Sequence, residues 1–459
     1  MKLFYALYQL LWGDLIVIPL PNGSTIGLSL LVLILIPAGI FFTIRTKFLP
    51  IRMFKEMIKI SLEKQENTSQ GSISGLQALI ISTATRVGTG NMVGVVAAVS
   101  AGGAGAVFWM WVTALIGSST AFVEATLAQI YKKEDHLYGG YQGGPAYYIH
   151  AFYAKNKKTC LLGILFALSG LLCWCGVSQV ISNSVSSAFY NAFNIPPIIS
   201  TIILVAVAAV IVLRKNASVK VLDIIVPIMA IIYFAIAIIV ILMNIQSLPQ
   251  VFTQIIEEAF GIRQVVAGGF GAALMNGVKR GLFSNEAGSG SAPCAAAAAN
   301  VSHPVKSGLF QSFGVIIDTI VICTCTAMIM LLAPNDVIHG LQGMDLLQTA
   351  MNYHFGYIGV VFTAITLWLF SFSTFIGILY YARSNVSYLF GNSWTAQTIY
   401  KIIALIMLFV GGLATYTFVW DLSDISVGLM TIFNMIAIIP MSNQAIDALK
   451  DYQKQKSLN

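Results

Sequence analysis

"TRVGTGNMVG", residues 85–94, lies in the middle of a long apolar stretch, and the rest of the chain is read outward from it. A helix that crosses a bilayer satisfies its backbone within itself, so glycines, a threonine, an asparagine and an arginine at its centre are out of place. Close packing of membrane helices accounts for isolated glycines such as Gly94 or Gly117. It does not account for Thr89 and Asn91 interleaved with Gly88 and Gly90. Backbone released at half depth is tolerated only where protein, substrate or ions take up its hydrogen bonds, so the stretch reads as part of a binding site.

The composition makes this a membrane site. Hydrophobic residues are 57% of the 459 and charged residues 9%, whereas a soluble domain is about a quarter charged. About eleven apolar stretches have the roughly 20 residues that a crossing helix needs. They predict an all-α membrane protein with helices at 24–44, 73–100, 105–131, 160–187, 197–213, 221–243, 265–285, 308–332, 357–381, 394–416 and 424–443. Runs such as "LLVLILIPAGIFF" are too long and too uniform for barrel strands.

The net charge of +7 points to topology rather than to nucleic acid. With the N-terminus outside, the basic groups at 45–64, 132–158, 214–220, 279–280 and 450–456, with Lys306 and Arg383, all fall inside. Only Lys2 and Arg263 fall outside, while Arg86 and Lys401 lie within spans. Basic residues mark the cytoplasmic side, so the expectation is N-terminus out and C-terminus in, in a bacterial or archaeal plasma membrane. The N-terminal apolar run has no small-residue cleavage site and is not read as a removable signal. The six cysteines mostly sit in apolar runs and read as packing residues.

Residues 1–23 form a short extracytoplasmic N-terminus, 24–72 an extra first helix and its cytoplasmic loop, and 444–459 a cytoplasmic tail. The remaining ten helices divide into 73–243 and 265–443. Five is odd, so the second half is inverted relative to the first. The first helix of each half is interrupted by glycine, at "VGTGN" (87–91) and at "GGFGAALMNG" (268–277). Such a pair is the best sequence pointer to a transporter binding site.

Four motifs then carry a resemblance: "GGAGAVFWMWVTALIG" (102–117), "VGTGN", "GGPAYY" (143–148) and "RGLFSNEAGSGSAP" (280–293). Together, and in this order, they resemble the alanine or glycine:cation symporter family over roughly residues 40–440. The resemblance implies the inverted five-plus-five amino acid–polyamine–cation fold shared with neurotransmitter:sodium symporters, preceded by one extra helix. It also implies uptake of a small neutral amino acid coupled to Na⁺. Thr89, Gly90 and Asn91 would hold the substrate carboxylate at the start of the outer half-helix, the positive end of its dipole. Carbonyls of Ala84 and Val87 would face Na⁺. By similarity to the fold, hydroxyls of Ser371 and Thr374 in "FSFSTFIG" would complete the ion site. Gly268, Gly269 and Gly271 would expose carbonyls to the substrate ammonium, with Phe270 walling the pocket and Asn276 a further polar contact. Gln179 would offer an amide, and Trp368 would close the pocket and limit the side chain.

Arg86 at mid-membrane costs on the order of 3 kcal/mol and requires a partner, for which Glu124, Glu286 and Asp318 are candidates. It either locks the cytoplasmic exit through a salt bridge, replaces a second sodium ion, or snorkels to the inner surface. "NEAGSGSAPCAAAAA" (285–299) lacks the Lys-Ser/Thr of a phosphate loop. It reads as a cytoplasmic turn and short Ala-rich helix beneath the bundle, with Glu286 part of the inner gate. Gly143, Gly144 and Pro145 read as a rigid inner loop.

The leading function is sodium-driven symport of alanine or glycine by alternating access. Proton coupling is the alternative, because Glu124 and Asp318 are carboxylates within spans. A transporter-derived sensor would carry a signalling domain, which is not apparent. An enzyme would need a nucleophile–base pair or a metal constellation. The five histidines lie in predicted loops or at helix ends without ligand spacing. Substrate, Na⁺ and lipid are the expected partners, with no nucleic acid and no prediction of oligomeric state.

Overall fold

Helices dominate because an apolar run in lipid has no other way to keep its amides and carbonyls paired. The computed structural model describes residues 2–19, 25–62, 73–74, 86–154, 157–213, 220–262 and 269–458. α1 (Lys2–Trp12) buries Leu11 and Trp12 and leaves Leu3, Tyr5 and Leu10 exposed. An antiparallel hairpin follows, β1 (Ile16–Pro19) with β2 (Thr25–Leu28), in which Ile16 pairs with Leu28. The N-terminus is therefore structured. α2 (Leu30–Arg45) starts later than the predicted 24–44 because Ser29, whose hydroxyl accepts the Val32 amide, caps it after the hairpin.

After α3 (Phe54–Leu62), residues 86–94 form a wide-turned π-helix, π1 (Arg86–Gly94), that runs into α4 (Val95–Gly102). Then come α5 (Gly105–Ile130), α6 (Pro145–Tyr153), α7 (Leu161–Phe193), α8 (Pro197–Val212), α9 (Lys220–Met243) and α10 (Leu248–Ala259). The second part holds α11 (Gly269–Asn285), α12 (Ala292–Ala298) and α13 (Pro304–Ile316), then a second π-helix, π2 (Ile317–Cys323), and α14 (Thr324–Leu331). α15 (Gly343–Phe355), α16 (Tyr357–Phe390), α17 (Trp394–Leu413) and α18 (Tyr416–Leu458) complete it.

Among the described residues, six helical runs are long and apolar enough to cross a membrane. These are α5, α7, Pro304–Leu331, α16, α17 and most of α18; α9 and α10, bent by 104°, add a seventh if they count as one span. α7 packs against α16, α17 and α18, and α5 against α11 and α13. Small residues set these distances. A Cβ on Gly411 of α17 would lie 2.2 Å from the Gln179 Cα, and one on Gly308 of α13 would lie 2.2 Å from the Thr126 hydroxyl.

Of the second interruption predicted at 268–277, Gly268 lies outside the described residues and Gly269 takes a left-handed φ of 48° at the first position of α11. From there onward those residues are continuous helix. Gly277 serves packing: a Cβ on it would meet Trp109 Cβ at 2.4 Å. A break falls at 286–291, where Glu286, Gly288 and Gly290 take φ of 59°, 92° and 83°. Left-handed backbone ends a helix and favours glycine. α12 is wholly buried, so "NEAGSGSAP" lies inside the bundle and not in a turn beneath it.

Candidate substrate and ion site

π1 and the 286–291 break approach each other around a cavity of about 30 Å³. Thr89 and Gly90 come from π1, Cys173, Trp174 and Val177 from α7, and Leu282 and Phe283 from α11. Glu286, Ser289 and Ser291 come from the break, Thr374 and Ile378 from α16, and Val427 and Met430 from α18. That volume holds about two waters, so the walls have closed to less than the bulk of a free amino acid.

π1 is held by side chains. The Gly88 amide donates to Asn91 Oδ1 (3.1 Å) and the Thr89 amide to the Thr374 hydroxyl (3.2 Å). A π-turn shifts amides off their usual carbonyls, and these oxygens accept them. Asn91 Nδ2 donates to Asp318 Oδ1 on π2 at 2.7 Å. Asp318 Oδ2 accepts the Ser284 hydroxyl at 3.0 Å and the Thr319 hydroxyl at 2.8 Å. The two π-helices are thus joined by a buried carboxylate. The Thr89 hydroxyl, which borders the cavity, is buried with no hydrogen-bond partner among the described residues, a costly condition unless a ligand completes it.

The break is held differently. Glu124 of α5, fully buried, accepts the Gly288 amide (3.1 Å) and Asn434 Nδ2 (2.8 Å), and Asn434 Nδ2 also donates to Gly288 O (2.9 Å). Tyr148 donates in turn to Asn434 Oδ1. Glu286 Oε2 accepts the hydroxyls of Ser291 (2.9 Å) and Tyr381 (3.2 Å).

Behind Phe283, one wall of the cavity, aromatic and charged groups gather. Phe283 lies 4.9 Å from Trp420, and the Arg280 guanidinium sits 3.9 Å above the same Trp420 ring. Arg280 makes two 2.9 Å hydrogen bonds to the two carboxylate oxygens of Asp424. Lys279 and Arg280, assigned from sequence to an inner loop, are therefore buried within α11.

The predicted site residues divide. Thr89, Gly90, Thr374 and Glu286 line the cavity, and Asn91 stands directly behind it. Ser371 is buried one turn before Thr374, its hydroxyl donating to Leu367 O at 2.6 Å. Others are kept away by the continuity of their helices. Phe270 packs edge-on to Trp109 at 5.7 Å, in the first turn of α11 with Gly269 and Gly271. Asn276 donates to Ala272 O and Ala101 O. Gln179 faces Met407 of α17, and Trp368 stacks with Phe189 and Phe372. Ala84 lies outside the described residues, as do the side chains of Arg86 and Val87. Among the described residues no group of three His, Cys, Asp or Glu could hold a metal.

The family model described as "Sodium:alanine symporter family" matches residues 16–459. The chain belongs to that family. A Bacillus subtilis protein named "Probable sodium/glutamine symporter GlnT" is 45% identical over 93% of the chain and 88% of its own length. The sodium/alanine symporter AgcS of Methanococcus maripaludis is 35% identical, covering 94% of the chain and 96% of its own length. The solved structure of MhsT in complex with L-phenylalanine matches with a TM-score of 0.55 at 14% identity, over 81% of the chain and 89% of MhsT. The two share a fold.

A membership in this family makes the chain a multi-pass membrane transporter, not an enzyme. The residues missed from sequence are the charged ones that brace the cavity. The signal for Asp424 and Arg280 was present: an acid at the start of one span and a base within another require each other in lipid.

Proposed function

We propose that the chain imports a small neutral amino acid, alanine or glycine, together with Na⁺, by alternating access. The proposed frame is eleven spans, one extra helix followed by five and an inverted five, with the N-terminus outside and the C-terminus in the cytoplasm. The cavity between π1 and the 286–291 break carries this reading, because it joins a polar, partly unladdered backbone to apolar walls at Trp174, Phe283 and Met430. The substrate carboxylate meets the Thr89–Asn91 segment and the orphan Thr89 hydroxyl, and the ammonium meets Glu286 and the carbonyls of the break. Na⁺ sits between π1 and α16, where Thr374 reaches the backbone, with Ala84, Val87 and Ser371 as further ligands. The Arg280–Asp424 pair over Trp420 and Phe283 forms the outer closure, and Arg86 and Glu286 belong to the inner gate.

A second reading, proton coupling, is favoured by one observation: the buried Asp318 carboxylate bonded to Asn91 behind the cavity. The test is uptake of labelled alanine into proteoliposomes at fixed pH, with and without an imposed sodium gradient, competed by glycine, serine, glutamine and leucine. Sodium-dependent uptake blocked by glycine and serine is expected. Uptake driven by a proton gradient alone overturns the ion assignment, and competition by leucine or glutamine equal to that of alanine overturns the small-substrate assignment.

A further inference from the structure

The Asp424 carboxylate faces two cations. Arg280 takes both oxygens at 2.9 Å, while Lys279 Nζ stands 3.5 Å from Oδ2, beyond a hydrogen bond. A buried ammonium needs closer company than that. It finds it in α1: Lys279 donates to the Tyr8 hydroxyl at 2.7 Å and lies 5.1 Å from the Trp12 ring centroid. α1 in turn rides on α18, where Phe4 stacks on Phe418 at 5.7 Å and the Trp12 indole N–H donates to Asp424 O at 2.9 Å. One short helix thus grips both partners of the closure, α18 through the Asp424 backbone and α11 through Lys279.

We propose that Tyr8 and Trp12 of α1 are positioning residues of the outer closure: they draw Lys279 off the Asp424 carboxylate, leave it whole for Arg280, and release as the site opens outward. This rests on the outer closure and orientation proposed above and adds to them a strap outside the ten-helix frame. The strap works by division of partners. With Tyr8 and Trp12 in place, Lys279 has a hydroxyl and an aromatic face, and Arg280 keeps its bidentate pair. Without them, Lys279 turns back on the carboxylate that Arg280 holds, with Asp421 the other acid near both cations, and the closed arrangement of α11 against α18 weakens. Separation of these helices strips Lys279 of its α1 contacts, so opening and release of the strap are one event.

The test reads access to the cavity through Cys173, which lines it. Right-side-out vesicles holding the full chain are treated with a membrane-impermeant methanethiosulfonate, and Cys173 modification is timed by peptide mass spectrometry. Loss of hydrogen bonds to a charged group and its partner in the Tyr8→Phe/Trp12→Phe variant is expected to speed modification about tenfold. Uptake should show a lower kcat with a KM for external alanine that falls rather than rises. Tyr8→Phe keeps its ring and Trp12→Phe keeps a smaller aromatic ring, so most of the packing of α1 is retained. In a Lys279→Met background, adding Tyr8→Phe is expected to change nothing further, because the cation it serves is gone. Asp424→Asn separates the two levels of the argument. If Asp424→Asn speeds modification and Tyr8→Phe/Trp12→Phe does not, the outer closure stands and the strap is overturned. If neither does, the closure itself is wrong and the strap falls with it. Reduced thermal stability with unchanged Cys173 access also overturns the strap, leaving α1 a packing element.

Discussion

Set beside each other, the segment 86–94 and the break at 286–291 hold released backbone inside a membrane by two different means. π1 keeps a helical course, and neutral groups, Asn91 Oδ1 and the Thr374 hydroxyl, accept its displaced amides. The break abandons the helix for left-handed backbone, and a buried carboxylate, Glu124, accepts the Gly288 amide. The more complete the loss of ladder, the stronger the acceptor that compensates it. The difference teaches that glycine content alone does not locate a break. What locates it is a run where glycine is required by φ and where a polar group from another helix arrives to meet it.

The largest expected effect breaks this comparison at its stronger end. Glu124→Ala leaves the Gly288 amide without its acceptor and takes one of two acceptors from Asn434, at a cost of about 3 kcal/mol in stability with loss of uptake. Thermal unfolding in detergent and proteoliposome uptake measure both. A variant as stable as the parent means the break supports itself.

Next comes a pair of matched substitutions. Gly288→Ala forces a Cβ into left-handed backbone, 2.4 Å from Met435 Cε, and should cost about 2 kcal/mol. Gly90→Ala meets nothing nearer than Ser284 Cα at 3.4 Å, with Phe283 O at 3.8 Å, so stability should stay within about 0.5 kcal/mol while KM rises, because Gly90 lines the cavity. Equal stability losses would erase the distinction between the two segments.

A smaller effect probes the far end of the break. Lys132, beyond the end of α5, donates to Ala299 O just past α12 at 3.1 Å. Burial pushes its ammonium down to about 8 from an ordinary 10.5. A folded value below the unfolded one means the unfolded chain binds the extra proton, so stability rises with pH between about 8 and 10.5. The unfolding temperature should climb across that window, and Lys132→Met should flatten the climb. Smallest of all, Gly271→Ala lies in the first turns of α11 and is expected to be neutral or to stabilise by up to about 1 kcal/mol. Loss of uptake there would support the interruption predicted at 268–277.

Much of the helix layout was legible because lipid leaves so little choice: 105–131, 197–213 and 221–243 fall within a residue of α5, α8 and α9. The first interruption was legible for a chemical reason, polar side chains between glycines. The break at 286–291 was missed because 268–277 and 286–291 are both glycine-rich, and only coordinates separate a glycine such as Gly277, which admits Trp109, from Gly288 and Gly290, which turn the chain left-handed. Helix ends were misjudged where the apolar pattern stops before the helix does. α18 continues well past residue 443 because its last turns are amphipathic and lie against other protein. Ion pairs such as Arg280–Asp424 join residues 144 positions apart, so the sequence shows that each charge needs a partner in lipid but not which partner it takes.

α18 has one further consequence. Its 43 residues, with Pro440 within them, make a rod of about 65 Å, twice the roughly 30 Å of a bilayer core. Near one tip stands Asp424; near the other, Tyr452 donates to Glu56 of α3 at 2.8 Å and His303 meets Asp451 at 3.3 Å. A tilt of about 5° over such a length displaces a tip by about 5 Å. The Asp424 cluster and the Glu56–Tyr452 contact are thus mounted on a single rod, which lets a movement at one be mechanically felt at the other.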